Sequence, residues 1–116
     1  MRKVEKPWGY EEIWAETEKY VGKILTILPG HRLSLQYHEK KEETVYVLEG
    51  DLVVWHSEDE NDKSILGKGS VYHVKPGTVH RFGSRLLKNE NRVVRLLEVS
   101  TSELNDVVRL ADDYKR

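Results

Sequence analysis

Four residues of this sequence form a set able to hold a metal ion: Gln36, His38, Glu43 and His80. Gln36 and His38 are two apart, so on a strand both side chains leave the same face. Glu43 follows a short polar connection, EKKEE, and can return to that face at the start of the next strand. A second stretch, GSVYHVKPGTVH (69–80), brings His80 back to the same neighbourhood. Imidazole and oxygen donors suit zinc, manganese, iron, nickel or cobalt. With no thiolate among them, they suit a catalytic centre better than a structural zinc site. Gln36 is the only glutamine in the chain. An amide buried without a partner costs about 1–3 kcal/mol, so a strand-face glutamine calls for a ligand or a hydrogen-bond network. Spacing alone also fits a solvated polar strand face.

These side chains need a β scaffold, and the chain reads as one. YEEIWAE (10–16), VGKILTIL (21–28), RLSLQYH (32–38), TVYVLEG (44–50) and DLVVWHS (51–57) are short apolar or alternating runs. They are bounded by turn signals such as Pro29-Gly30 and Glu49-Gly50-Asp51. SIL (64–66), SVYHVK (70–75), VHRFGS (79–84) and the end of NENRVVRLLEVS (89–100) continue the pattern, with a turn at Pro76-Gly77-Thr78. Residues 1–7 read as an arm. SELNDVVRLADDY (102–114) predicts a short helix, with Ser102 as N-cap and Leu104, Val107, Val108 and Ala111 at helical spacing. Evenly spaced strands with no βαβ alternation indicate an all-β barrel or sandwich. The expectation is one domain over 1–116, with an N-terminal arm or strand (1–16) and a C-terminal helical segment (102–114).

Composition narrows the function. In 116 residues, 34% are charged, the net charge is −1 and the signs are interspersed, so no basic face for nucleic acid is implied. The absence of cysteine excludes a disulfide scaffold and thiol catalysis. Apolar runs are too short for a membrane span or signal peptide, which predicts a soluble, cytoplasmic protein.

The stretch GHRLSLQYHEKKEETVYVLEG (30–50) resembles the first cupin motif, G-x5-H-x-H-x4-E-x6-G. Gly30, His38, Glu43 and Gly50 match, and Gln36 takes the place of the first histidine. GSVYHVKPGTVHRFGS (69–84) resembles the second motif through Gly69, Gly77 and His80. Lys75 stands where proline is usual, and Ser84 where asparagine is. Pro7-Trp8-Gly9-Tyr10, Arg32 to His38, Glu98-Val99-Ser100, Asp106-Val107-Val108-Arg109 and then Asp113, Tyr114 and Arg116 are together similar to the cupin domain of type II phosphomannose isomerases. The nucleotidyltransferase domain that precedes it in larger members has no counterpart in this sequence.

The resemblance implies a double-stranded β-helix, or jelly-roll barrel, with one divalent metal ion on Gln36, His38, Glu43 and His80. Zinc is the first expectation, with manganese, iron, cobalt or nickel as alternatives. It implies interconversion of mannose 6-phosphate and fructose 6-phosphate by a homodimer with a sugar phosphate as its small-molecule partner. Such chemistry needs a proton shuttle, for which His73 and Glu98 are candidates. It also needs cations for the phosphate, for which Arg32, Arg81 and Arg109 are candidates. Glu98 draws attention because its strand is otherwise apolar on both faces. His31 and His56 read as surface residues. Trp8, Tyr10, Trp14 and Tyr20 read as core or subunit interface rather than a stacking wall. Two rival readings are a non-catalytic sugar-binding module and another metal-dependent cupin enzyme such as an oxygenase. Gln36 speaks against the latter, because an amide is a weaker donor to iron(II) than imidazole.

Overall fold

Period-two alternation and glycine-marked turns carry the chain through two facing antiparallel layers. The computed structural model describes residues 1–85 and 92–115. Among them are eleven strands and no helix: β1 (Arg2–Lys6), β2 (Gly9–Glu16), β3 (Val21–Ile27), β4 (Leu35–Tyr37), β5 (Glu43–Glu49), β6 (Leu52–Trp55), β7 (Lys63–Leu66), β8 (Val71–Val74), β9 (Arg81–Gly83), β10 (Val94–Ser100) and β11 (Val108–Ala111). One layer is a six-stranded sheet in the order β1-β2-β3-β10-β5-β8. The other joins the pair β11-β4 to the three strands β7-β6-β9 through the bridges Arg32↔Gly83 and Gln36↔His80. No helix is long and apolar enough to cross a membrane.

The core fills one end of the space between the layers. Leu25 and Ile27 of β3, Val45 and Val47 of β5, and Val94 and Leu96 of β10 face Leu52 and Val54 of β6 and Phe82 of β9. Each such side chain contributes roughly 1.5–3 kcal/mol on burial. Along the same inward faces, three neighbouring strands then change character. β3 places Lys23 inward, β10 places Glu98 and β5 places Glu43, all buried. Lys23 and Glu98 are directly opposed in the β3–β10 ladder. A barrel with an apolar half and a charged half follows from those three substitutions in the alternation.

Two glycines fix how the second layer closes on this charged half. Gly83 lies so close to the chain leading into β4 that a Cβ there would sit 2.5 Å from Arg32 Cβ. Gly77 has φ +82° in the turn before His80, and its N–H donates to the His38 carbonyl at 2.7 Å. Gln36 and His80 exchange two backbone hydrogen bonds of 2.9 Å, so the two motif strands are bound together at the site.

The helix expected over 102–114 does not form. Residues 102–107 make tight turns, and Val108–Ala111 pair with β4 as strand β11. A helix of that length is marginal unless packing supports it. Here β4 lacks a partner on that side, and Val107 and Val108 are β-branched, so sheet pairing wins. The first residues are also more ordered than an arm: β1 pairs with β2 from Arg2↔Ile13 to Lys6↔Gly9. The stretch 89–100, expected to contain the last long strand, does so at Val94–Ser100, and its first residues, 89–91, lie outside the described residues. Trp8 is core at 2% exposure, whereas Trp14 and Tyr20 are half exposed.

Candidate metal centre

His38, Glu43 and His80 converge in the charged half of the barrel. One ligand atom from each lies within 4.8 Å of the others, and all three residues are buried. His38 leaves the end of β4, Glu43 opens β5, and His80 follows the Gly77 turn into β9. His38 Nε2 is 3.6 Å from Glu43 Oε2, and His80 Nε2 is 3.5 Å from Glu43 Oε1. These are charge-pair separations, too long for good hydrogen bonds.

The outer nitrogens explain how the rings are aimed. His38 Nδ1–H donates to the Asp106 carbonyl at 2.5 Å, and His80 Nδ1–H donates to the Thr78 carbonyl at 2.9 Å. That fixes the tautomer with a bare lone pair on each Nε2. Both Nε2 atoms are buried and have no hydrogen-bond partner. Two orphaned lone pairs and a carboxylate aimed at one point are a costly arrangement unless a cation sits among them. The donor set therefore fits a metal ion.

The electrostatics favour the ligating forms. Burial pushes the His38 imidazole below its usual value, so it stays neutral. Burial alone would raise the Glu43 carboxyl, but the positive charge around it, with the Lys41 ammonium in direct contact, outweighs burial and holds Glu43 ionised, well below the usual carboxylate range. Lys41 Nζ lies 3.0 Å from Glu43 Oε2 and 3.4 Å from Glu98 Oε2. Burial works against its charge, but Glu98 and Glu43 prevail and raise its value. Glu98 is pushed up to about 7, by burial first and by the Glu43 charge second.

Gln36 lines the same cavity as His38, a space of about 470 Å³. Its Oε1 accepts a 2.7 Å hydrogen bond from the buried Ser34 hydroxyl. That turns the amide and leaves the oxygen a second lone pair.

The other sequence candidates separate. Glu98 is beside the cluster, behind Lys41, and does not line the cavity. His73 faces outward from β8, 43% exposed, and pairs with Glu42. Arg32 reaches Asp113 at 2.7 Å and Glu60 at 2.8 Å, with its guanidinium over the Trp55 ring. Arg81 donates to the carbonyls of Leu33 and Ala111 and pairs with Asp113 at 3.4 Å. Both arginines hold the C-terminal segment against the barrel. Arg109 lines the cavity. His31 is half-buried, hydrogen-bonded and stacked against Tyr114, and His56 pairs with Ser64.

Lys41 and Asp106 carry no sequence signal for these roles. Lys41 sits in a run, EKKEE, that looks like solvated surface. Asp106 looks like a helix residue. It instead accepts hydrogen bonds from the backbone N–H groups of Glu39, Lys40 and Lys41 at 2.7–3.1 Å, fixing the turn that joins His38 to Glu43.

A two-layer antiparallel barrel with an imidazole–carboxylate cluster between its layers defines a double-stranded β-helix with a candidate metal site. The chain belongs to the cupin family: the family model described as "Cupin domain" matches residues 23–99. Over 119 aligned residues it is 31% identical to the mannose-1-phosphate guanylyltransferase of Escherichia coli K12, covering 99% of this chain and 23% of that protein. The chain thus spans about a quarter of the length of that curated relative. Among solved structures, the polyketide cyclase RemF from Streptomyces resistomycificus superposes with a TM-score of 0.75 at 19% identity, over 95% of this chain and 76% of that one. At that identity the likeness speaks for the fold alone. A sugar phosphate isomerase of the cupin superfamily from Silicibacter pomeroyi superposes with a TM-score of 0.59 at 26% identity, over 72% of this chain and 50% of that one.

Proposed function

We propose that this protein is a metal-dependent sugar-phosphate isomerase that interconverts fructose 6-phosphate and mannose 6-phosphate. The observation that carries the reading is the pair of buried, unpartnered Nε2 atoms of His38 and His80 facing Glu43, at the edge of a charged cavity. His38, Glu43 and His80 would hold the ion, zinc first, and Gln36 would add its amide oxygen. When bound, a divalent cation acts as a Lewis acid toward the oxygens on C1 and C2. The likeness to a sugar phosphate isomerase and to a mannose-1-phosphate enzyme supports the substrate class.

The chain's own residues divide the remaining work. Trp8 and Leu33 give the cavity an apolar wall against which a hexose carbon face can pack, and they keep water off it. Lys41 lines the cavity with its ammonium held between Glu43 and Glu98, and that buried positive charge offsets negative charge developing on the substrate oxygens. Glu98 stands behind Lys41 and is the proposed proton store. Its raised value of about 7 lies in the range where a carboxyl gives and takes a proton readily. His73 points away from the cavity, and the proposal leaves it out of the proton path.

The test is turnover. Protein loaded with zinc or manganese is mixed with fructose 6-phosphate, and mannose 6-phosphate is measured with and without a chelator. Chelator-sensitive conversion supports the reading. Tight sugar binding by folded, loaded protein without conversion supports the binding-module reading instead.

A further inference from the structure

The cavity over the cluster has a second charged wall that the metal chemistry does not use. β1 presents Arg2, Val4 and Lys6 to it, one residue in two, as a strand must. β3 adds Lys23, and β11 adds Arg109 from the opposite layer. Most of these cations are answered. Lys23 Nζ lies 3.3–3.4 Å from both Glu11 oxygens, Arg2 donates to Glu16 at 3.0 Å, and Lys41 is held by Glu43 and Glu98.

Two are not. Lys6 Nζ is 4.0 Å from Glu11 Oε1, an oxygen already turned to Lys23. The Arg109 guanidinium has no ion-pair or hydrogen-bond partner among the described residues. Its position is set by the ladder: Arg109 is the direct partner of Gln36 across β11–β4. Directly opposed side chains share a face with their Cβ atoms about 5 Å apart, so Arg109 stands beside the amide that borders the cluster. An underused ammonium and a free guanidinium on facing walls of one cavity favour an anion between them. The guanidinium supplies a two-pronged grip and the ammonium a compact charge.

We propose that Lys6 and Arg109 form a subsite for the phosphate of the substrate. The proposal rests on the sugar-phosphate reading given above. It assigns the grip to the first strand and the last, whereas Arg32 and Arg81, which flank the ligands in sequence, are consumed in holding Asp113. The far end of a hexose phosphate then lies between β1 and β11 while its C1–C2 end lies over Gln36 and His38, where the cluster borders the cavity.

The experiment uses the whole metal-loaded chain and its Lys6→Gln and Arg109→Gln variants, with Lys75→Gln as a charge control outside the cavity. Each cavity substitution is expected to raise KM for fructose 6-phosphate roughly tenfold, the worth of one lost charged hydrogen bond, with a larger effect on KM than on kcat. Metal content is expected to match the parent, and Arg109→Lys to recover part of the loss. A second arm needs no turnover: inorganic phosphate is titrated at fixed ionic strength while backbone amide shifts are followed by NMR. Saturable shifts centred on β1 and β11, lost in both cavity variants, support the subsite even if the protein proves not to be an isomerase. KM values that move no more than in Lys75→Gln, or phosphate shifts centred away from β1 and β11, would overturn it.

Discussion

At the scale of single residues, the site is decided by what stands behind each candidate ligand. His38 and His80 ligate only if their Nε2 atoms carry the lone pair, and backbone carbonyls of Asp106 and Thr78 impose that state. His80→Ala is expected to lower zinc affinity by more than about 100-fold, beyond the 10–100-fold typical when an outer partner is lost. Competition with a chromogenic chelator measures it directly. Asp106→Ala keeps the carbonyl but removes the carboxylate that gathers three N–H groups of the 39–41 turn. It is expected to cost about 10–100-fold in zinc affinity, as an outer-partner change. Unchanged affinity in Asp106→Ala would show that the turn holds itself. The convergence of His38, Glu43 and His80 was legible in the sequence because the motif spacing is specific, and strand periodicity likewise placed Gln36 on the face of His38. Lys41 and Asp106 were not, since the roles of both depend on contacts across the fold, 65 or so positions apart for Asp106.

At the scale of elements, the C-terminal segment is the informative case. Its helical spacing was real in sequence, but β4 is a three-residue strand with an open side, and β11 fills it. Local pattern lost to a pairing that no local window contains. What keeps β11 in place is ionic: Arg32 and Arg81 share Asp113, and Arg32 also reaches Glu60. Arg32→Ala is expected to destabilise the protein by about 1–2 kcal/mol in urea unfolding, a modest figure because Asp113 and Glu60 are well exposed.

The same latch sets an acid dependence. The hydrogen bond from Arg32 holds the Asp113 carboxyl below its usual 3.8. A depressed carboxyl stabilises the folded chain above its unfolded-state value and loses that contribution as pH falls through the lower folded value. Protection of the β11 amides, relative to their intrinsic exchange at each pH, is therefore expected to fall as pH drops below about 4, and Asp113→Asn to lower it at neutral pH and flatten the response. An acid response equal in parent and Asp113→Asn would place the titrating group elsewhere. Strand positions from β2 to β8 were readable because turn glycines and alternation mark them. β1 was not, because RKVEK has no apolar face and gains strand form only by pairing with β2.

At the scale of the molecule, one barrel serves two purposes with its two halves. The apolar half, from Trp8 and Leu25 to Phe82 and Leu96, supplies the stability, while the other half buries Lys23, Lys41, Glu43 and Glu98 at a cost in desolvation. Under the proposed metal reading, the folded state is the form that brings His38, Glu43 and His80 together for a cation. Loading is expected to raise the unfolding free energy by about 2.7 kcal/mol when free metal is a hundredfold above Kd. Calorimetry with and without chelator reads the shift, and the His80→Ala variant is expected to lose most of it. A melting temperature indifferent to metal would mean that the cluster does not take one.

The central claim is that His38, Glu43 and His80 hold a metal ion that this barrel uses to isomerise a sugar phosphate. The most direct measurement follows fructose 6-phosphate by NMR with stripped, zinc-reloaded and manganese-reloaded protein, beside reloaded His80→Ala. The account predicts mannose 6-phosphate only with reloaded parent protein, approaching a fixed ratio from either substrate. Folded, stoichiometrically loaded protein that leaves both sugar phosphates unchanged, or stripped protein that converts them equally well, would contradict it.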